Sequence, residues 1–213
     1  MKIVYQFPIF LQRLYRGVVW RLPQQRKTIY LTFDDGPVPE VTPQVLQILR
    51  HYNVKATFFQ VGDNIRKYPE LAAQVVKEGH QIGNHTYNHL RAFLTSDADY
   101  LQNIAQTDLL LDRLHPQGTE RPHLLRPPYG RMRLSQKRKL QATHTLVLWD
   151  LITHDYDASR SPEQVLQVVK HYSRNGSIVV FHDSLKAAKN MLTVLPQAIE
   201  FWLSEGYRFE LLN

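Results

Sequence analysis

From Thr28 onward, short runs of apolar, β-branched and aromatic residues alternate with longer stretches whose apolar positions recur every three or four residues. The first pattern suits strands buried on both faces, and the second suits helices that cover them. Their alternation predicts an α/β chain of βα units around a parallel sheet. Strands are expected near residues 28–33, 56–61, 81–84, 123–125, 144–149, 177–181 and 207–212. Helices are expected near 43–52, 69–78, 97–115, 134–140, 162–173 and 188–204. About seven parallel strands of this kind curl into a barrel or a strongly curved sheet. Ser161-Pro162, with Glu163 close by, reads as an N-cap and first turn, and Gly79, Gly176 and Gly206 sit where a helix ends and a strand begins.

Ahead of this alternation, residues 7–22 place Phe10, Leu11, Leu14, Tyr15, Val18, Val19 and Leu22 at helical spacing among Arg13, Arg16 and Arg21. That is the pattern of an amphipathic helix. Two placements are open to it: packed across one end of the domain, or laid with its apolar face on a membrane surface. The chain therefore divides into an N-terminal amphipathic segment, 1–26, and an α/β domain, 27–213.

Composition narrows the field. At 213 residues, with 43% apolar and 11% aromatic positions, the chain can bury the core of one folded domain. No cysteine is present, so thiolate metal sites, disulfides and cysteine nucleophiles are excluded, and a metal would need His, Asp or Glu. The formal charge of +7 could attract a polyanion. Its densest run, 131–139, has no nucleic-acid motif around it, and no nucleic-acid partner is expected. No stretch is long enough to span a bilayer. Phe7-Pro8-Ile9-Phe10-Leu11 is short for a secretory signal and lacks a small-residue cleavage site before Arg13 and Arg16, so the segment is expected to be retained. A cytoplasmic or peripherally membrane-associated protein is the resulting expectation; the sequence leaves its oligomeric state open.

The unusual polar residues fall just after the expected strands, where loops of a parallel α/β barrel converge on one face. Thr32-Phe33-Asp34-Asp35-Gly36-Pro37 ends a strand with two carboxylates, and Gly36-Pro37 supplies a turn that could bring both to one site. His85-Thr86-Tyr87-Asn88-His89 spaces two imidazoles as on one face of a helical turn. With a carboxylate from another strand they would make a two-His, one-carboxylate site with open positions. Arg126-Pro127-Pro128-Tyr129-Gly130 is a stiff loop that can fix the Arg126 side chain and the Tyr129 backbone N–H. Trp149 to Asp157 and Ile178 to Asp183 carry the remaining candidates, the latter running four apolar residues directly into His182.

In content and order these segments resemble the polysaccharide deacetylases of carbohydrate esterase family 4, the NodB homology domain, over about residues 27–213. The resemblance implies a distorted (β/α) barrel and metal-assisted hydrolysis of an N-acetylated carbohydrate. It further implies one divalent ion, zinc being the first candidate, held by Asp35, His85 and His89. Asp34 would be the general base, oriented by Arg126, and His182 the general acid, tethered by Asp155. The Tyr129 backbone N–H would help stabilise an oxyanion. Ile178 would line the pocket for the acetyl methyl group, with Pro128 and Tyr156 also at the substrate.

The fourth segment departs from the family's Asp-x-x-Asp-Trp: Ile152 stands in place of the first Asp and Tyr156 in place of Trp. That difference bears on substrate contacts rather than on the chemistry. Hydrolysis of an O-acetyl ester or a small-molecule amide on the same site, and carbohydrate binding without turnover, are the alternatives.

Overall fold

The structure, a computed structural model, describes residues 5–8, 12, 15–114 and 123–212. Its centre is β2 (Thr28–Asp34), buried along its whole length. Side chains of β2 divide by parity, as the two-residue period of a doubly covered strand requires. Ile29, Leu31 and Phe33 pack with Val45, Leu46 and Leu49 in the main core, while Tyr30 turns the other way to join Phe59, Leu124, Val147 and Ile178. The same parity runs along β8 (Ser177–His182), where Val179 and Phe181 meet the helices and Ile178, Val180 and His182 alternate with them. Both strands therefore end with a polar side chain on the inner face.

Around these lie β1 (Val18–Val19), β3 (Thr57–Gln60), β4 (Gln81–Asn84), β5 (His123–Leu125), β6 (His144–Val147), β7 (Leu151–Ile152) and β9 (Arg208–Phe209). The order is β1-β6-β5-β4-β3-β2-β8-β7, with β9 also paired to β2, and every pair of named strands is parallel. The helices are α1 (Thr42–His51), α2 (Gly62–Lys67), α3 (Pro69–Lys77), α4 (Asp97–Leu114), α5 (Leu134–Leu140), α6 (Pro162–Tyr172) and α7 (Ala188–Ser204). This is the curled parallel α/β sheet expected from the sequence. Among the described residues it has nine strands rather than about seven, because β7 is too short to leave a periodic signal and the two residues of β1 fall in the stretch whose spacing reads as helical.

The N-cap of α6 is Ser161 as expected, but its reciprocal partner is Gln164, whose side chain accepts from the Ser161 N–H at 3.0 Å. Gly79, Gly176 and Gly206 all adopt positive φ. At Gly176 the reason is also steric, since a Cβ would lie 2.4 Å from the Leu22 backbone.

That contact marks a correction to the last part of the helix expected over 7–22, from Val18 on, whereas Gln12 is helical and donates to Pro8 C=O at 3.2 Å. Residues 9–11, 13 and 14 lie outside the described residues, but Val18–Val19 forms a strand on β6, and Leu22 N–H donates to Gly176 C=O. Arg21 then bridges antiparallel to Ser177 of β8. Apolar β-branched residues at this spacing suit either element, and the open edge of β6 decides for strand. The segment thus spans from β6 to the start of β8 and draws the two sides of the curled sheet together. Trp20 is buried there among Leu148, Trp149, Ile152 and Val180, and Phe7 packs against Trp20 and Trp149. Among the described residues no helix is long and apolar enough to cross a membrane.

Candidate active site

Asp34 ends β2 and His182 ends β8, and the two are register partners across the adjacent strands. After Asp34 the chain turns at once: Asp35 has φ 82°, so its carboxylate need not follow the strand alternation that would send it to the opposite face. The turn is clamped from beneath by Asp183. One Asp183 oxygen accepts from Gly36 N–H at 3.0 Å and the other from the Thr42 hydroxyl at 2.6 Å, while Asp183 N–H donates to Asp34 C=O at 3.1 Å. A Cβ on Gly36 would overlap the Asp183 carboxylate, which explains the glycine there. Burial pushes the Asp183 carboxyl up to about 8 against its hydrogen bond from Thr42.

His85 follows β4 and is buried, with Nδ1 at 2.7 Å from the Arg126 carbonyl oxygen. A carbonyl can only accept, so Nδ1 carries the proton and the Nε2 lone pair is directed at Asp35 Oδ1, 3.6 Å away. Burial, reinforced by the neighbouring His89, pushes the His85 imidazole down to about 3 and keeps it neutral. His89 Nε2 lies 3.3 Å from the same oxygen. The expected helical turn is not what joins the two imidazoles: Thr86 and His89 both have positive φ, in a loop. Buried amides hold that loop instead. Asn84 accepts from Thr86 N–H at 2.7 Å, and Asn103 of α4 accepts from Tyr87 N–H at 2.7 Å and Asn88 N–H at 3.1 Å.

Donor atoms of Asp35, His85 and His89 all lie within 4.8 Å of one another, the one such cluster among the described residues that could hold a metal ion. The set fits a divalent ion on its own chemistry: a neutral imidazole with its far nitrogen anchored to a carbonyl is the supported form of a His ligand.

Arg126, wholly buried, donates from Nη1 to Asp34 Oδ1 at 2.7 Å and to the Thr32 hydroxyl at 2.8 Å, and from Nη2 to Leu148 C=O at 3.0 Å. Its guanidinium also lies 4.1 Å over the Phe59 ring. One Asp34 oxygen is thereby fixed, and the other is 4.0 Å from His85 Nε2. Asp155 similarly engages His182 twice, at the backbone N–H and at Nδ1, each at 2.8 Å, leaving Nε2 free of it. Burial works to lower the His182 pKa, but Asp155, Asp35 and Asp34 outweigh it and raise it to about 9.

Pro128 is buried and opens a 3-10 turn in which Tyr129 has φ 61°, and the half-exposed Tyr129 ring lies 4.9 Å from His89. Tyr156 meets the His182 ring edge-on at 4.8 Å, and its hydroxyl is 2.9 Å from His154 Nδ1. Ile178 is not brought to this site. It lies four residues, about 13 Å of strand, before His182, packed with Tyr30 and Leu212. The inner-face residue next to His182 is Val180, which packs with Trp149 and Tyr156. Asp183, Asn84 and Asn103 drew no role from the sequence. Asp183 adjoins a candidate histidine, but buried amides on strand and helix carry no spacing signature.

A family model described as polysaccharide deacetylase matches residues 21–149. The chain is 36% identical over 194 residues to a peptidoglycan-N-acetylglucosamine deacetylase of Bacillus cereus, covering 90% of this chain and 89% of that protein. It is 34% identical over 172 residues to a chitooligosaccharide deacetylase of Azorhizobium caulinodans, covering 78% and 79%. Other relatives are longer, the chain spanning 58% of a second such B. cereus protein and 37% of a Bacillus subtilis peptidoglycan-N-acetylmuramic acid deacetylase. Among solved structures, it resembles a peptidoglycan N-acetylglucosamine deacetylase crystallised with 4-naphthalen-1-yl-N-oxidanyl-benzamide. The TM-score is 0.87 at 31% identity, covering 97% of this chain and 95% of the other.

Proposed function

Because the chain belongs to the polysaccharide deacetylase family, we propose that it is a metal-dependent hydrolase that removes the acetyl group from an N-acetylglucosamine-type sugar in a poly- or oligosaccharide. The observation that carries this reading is the pairing of two strand ends. Asp34 and His182 are register partners, and each has one polar atom tied down, by Arg126 and by Asp155, so that the other is available for proton transfer.

In this reading the carboxylate of Asp34 takes a proton from water as the water oxygen adds to the acetyl carbonyl carbon. Arg126 restricts the base to one orientation. As the C–N bond breaks, His182 Nε2 gives its proton to the departing nitrogen, so that acetate and a free sugar amine leave. The high pKa of His182 keeps it charged for that step at neutral pH. The backbone N–H of Tyr129, directed by the proline-stiffened turn, stabilises the carbonyl oxygen as it gains charge. Asp35, His85 and His89 would hold one divalent ion, zinc by analogy with other two-His, one-carboxylate hydrolases, which acidifies water and polarises the carbonyl. Pro128 and Tyr156 would lie at the substrate, whereas Ile178 and Val180 are both wholly buried.

The purified protein, given a divalent ion, is expected to release acetate from N-acetylglucosamine oligomers or peptidoglycan fragments. Asp34→Asn should lower that release at least about a hundredfold, the usual contribution of a general base. Undiminished release by that variant would remove Asp34 from the role of base. Faster release from O-acetyl than from N-acetyl sugars would turn the assignment to an esterase on the same site.

A further inference from the structure

Two of the site's histidines are backed by the same three-layer arrangement. On the His89 side, the Tyr129 ring lies 4.9 Å from the imidazole and the Arg91 guanidinium lies 4.9 Å over the Tyr129 ring. On the His182 side, the Tyr156 ring lies 4.8 Å from the imidazole and Lys186 Nζ lies 5.3 Å over the Tyr156 ring. Both cations are exposed, and each lies within two positions in the chain of an exposed apolar residue, Phe93 for Arg91 and Leu185 for Lys186.

Their charges are surplus to the site. Arg126, Arg133, Arg160 and Arg174 each pair with a carboxylate, whereas neither Arg91 nor Lys186 forms an ion pair with one among the described residues. The aromatic faces hold both cations in place, which reduces the conformational entropy lost when a ligand engages them. Exposed cations one aromatic ring removed from the site's histidines, with no carboxylate partner among the described residues, suit an anionic substrate. Exposed apolar and aromatic groups beside them suit the C–H faces of sugar rings.

Resting on the deacetylase reading above, we propose that Arg91 and Lys186 are specificity-determining residues that select a glycan carrying carboxylate substituents near the N-acetyl sugar. They act in binding and take no part in bond breaking. The effect of removing them therefore falls on KM rather than kcat.

The test uses one glycan fragment in two forms, with its carboxylates free and with the same carboxylates converted to methylamides, so that only charge differs. For the wild-type protein at low ionic strength, kcat/KM for the free form should exceed that for the amide form about tenfold. The ratio should shrink as salt screens the two cations. In the double variant Arg91→Gln, Lys186→Gln the ratio should fall toward one through a rise in KM for the free form. Arg91→Lys with Lys186→Arg should retain it. A wild-type ratio near one, or a ratio that survives the double glutamine variant, overturns the inference. If neither form yields acetate, the deacetylase reading fails, and calorimetric titration of both forms into wild-type protein without metal still decides the charge question. Equal affinities there overturn the selection, and tighter binding of the free form sustains it.

Discussion

Single residues divide the labour here by which of their atoms are immobilised. Asp34 has one oxygen fixed by Arg126, and His182 has one nitrogen fixed by Asp155. The residue types and their order in the chain were legible in the sequence, because Asp34, Asp35, His85, Arg126 and His182 stand at or next to strand ends and His89 follows His85 by four residues. Which neighbour fixes which atom was not, and Ile178 shows why: strand pitch carries a residue four positions back into a different layer. Three histidines are perturbed, one upward and two downward. His182 is raised to about 9, so its ion pair stabilises the fold fully below the ordinary 6.5 and is lost as pH rises through about 9. His85 is pushed down to about 3 and His80 to about 4, so the fold is favoured above 6.5 and weakened as pH falls through that range. Thermal unfolding of protein without metal should therefore show a midpoint that peaks near pH 6.5 and declines on both sides. Asp155→Asn should lessen the alkaline decline, leaving the share that buried Asp183 contributes below about pH 8, and a wild-type midpoint unchanged between pH 6.5 and 9 would contradict the assignment of that ion pair.

At the scale of elements, buried runs such as Thr28–Asp34 and Ser177–His182 and capped helices such as Pro162–Tyr172 were readable because period and punctuation agree. The loop from His85 to His89 was misread as a helical turn. Its shape comes from Asn84 and Asn103, and Asn103 lies on a separate helix, α4, so the information is tertiary. α2 was missed for a different reason, being six residues long and beginning with glycine. Since Asn103 fixes the loop without touching either imidazole, Asn103→Ala should weaken divalent-ion binding about 10–100-fold, the usual cost of losing a supporting partner. Equilibrium dialysis with zinc would show it, and an affinity within twofold of wild type would mean that the loop holds its shape by other means.

For the whole molecule, the segment before Thr28 determines how the curled sheet is completed. Phe7 and Tyr15 pack on Trp20, and Phe7 also on Trp149, so we infer that residues 5–8 and 15–22 belong to the catalytic domain rather than to a membrane surface. Trp20→Ala should then lower the unfolding free energy in urea by about 3–5 kcal/mol, as for a large buried aromatic. A loss below about 1 kcal/mol would return the segment to the membrane-facing alternative. The packing also explains why the curled parallel sheet was predictable while its closure was not: alternation of apolar runs specifies βα units, but not which stretch fills the remaining edge. The central claim, that the Asp35, His85 and His89 cluster serves hydrolysis of an N-acetyl group beside Asp34 and His182, is tested most directly by acetate release from an N-acetylglucosamine oligomer before chelation, after it, and after return of one equivalent of zinc. The account predicts release that stops on chelation and resumes on re-addition; release that continues in metal-stripped protein would contradict it.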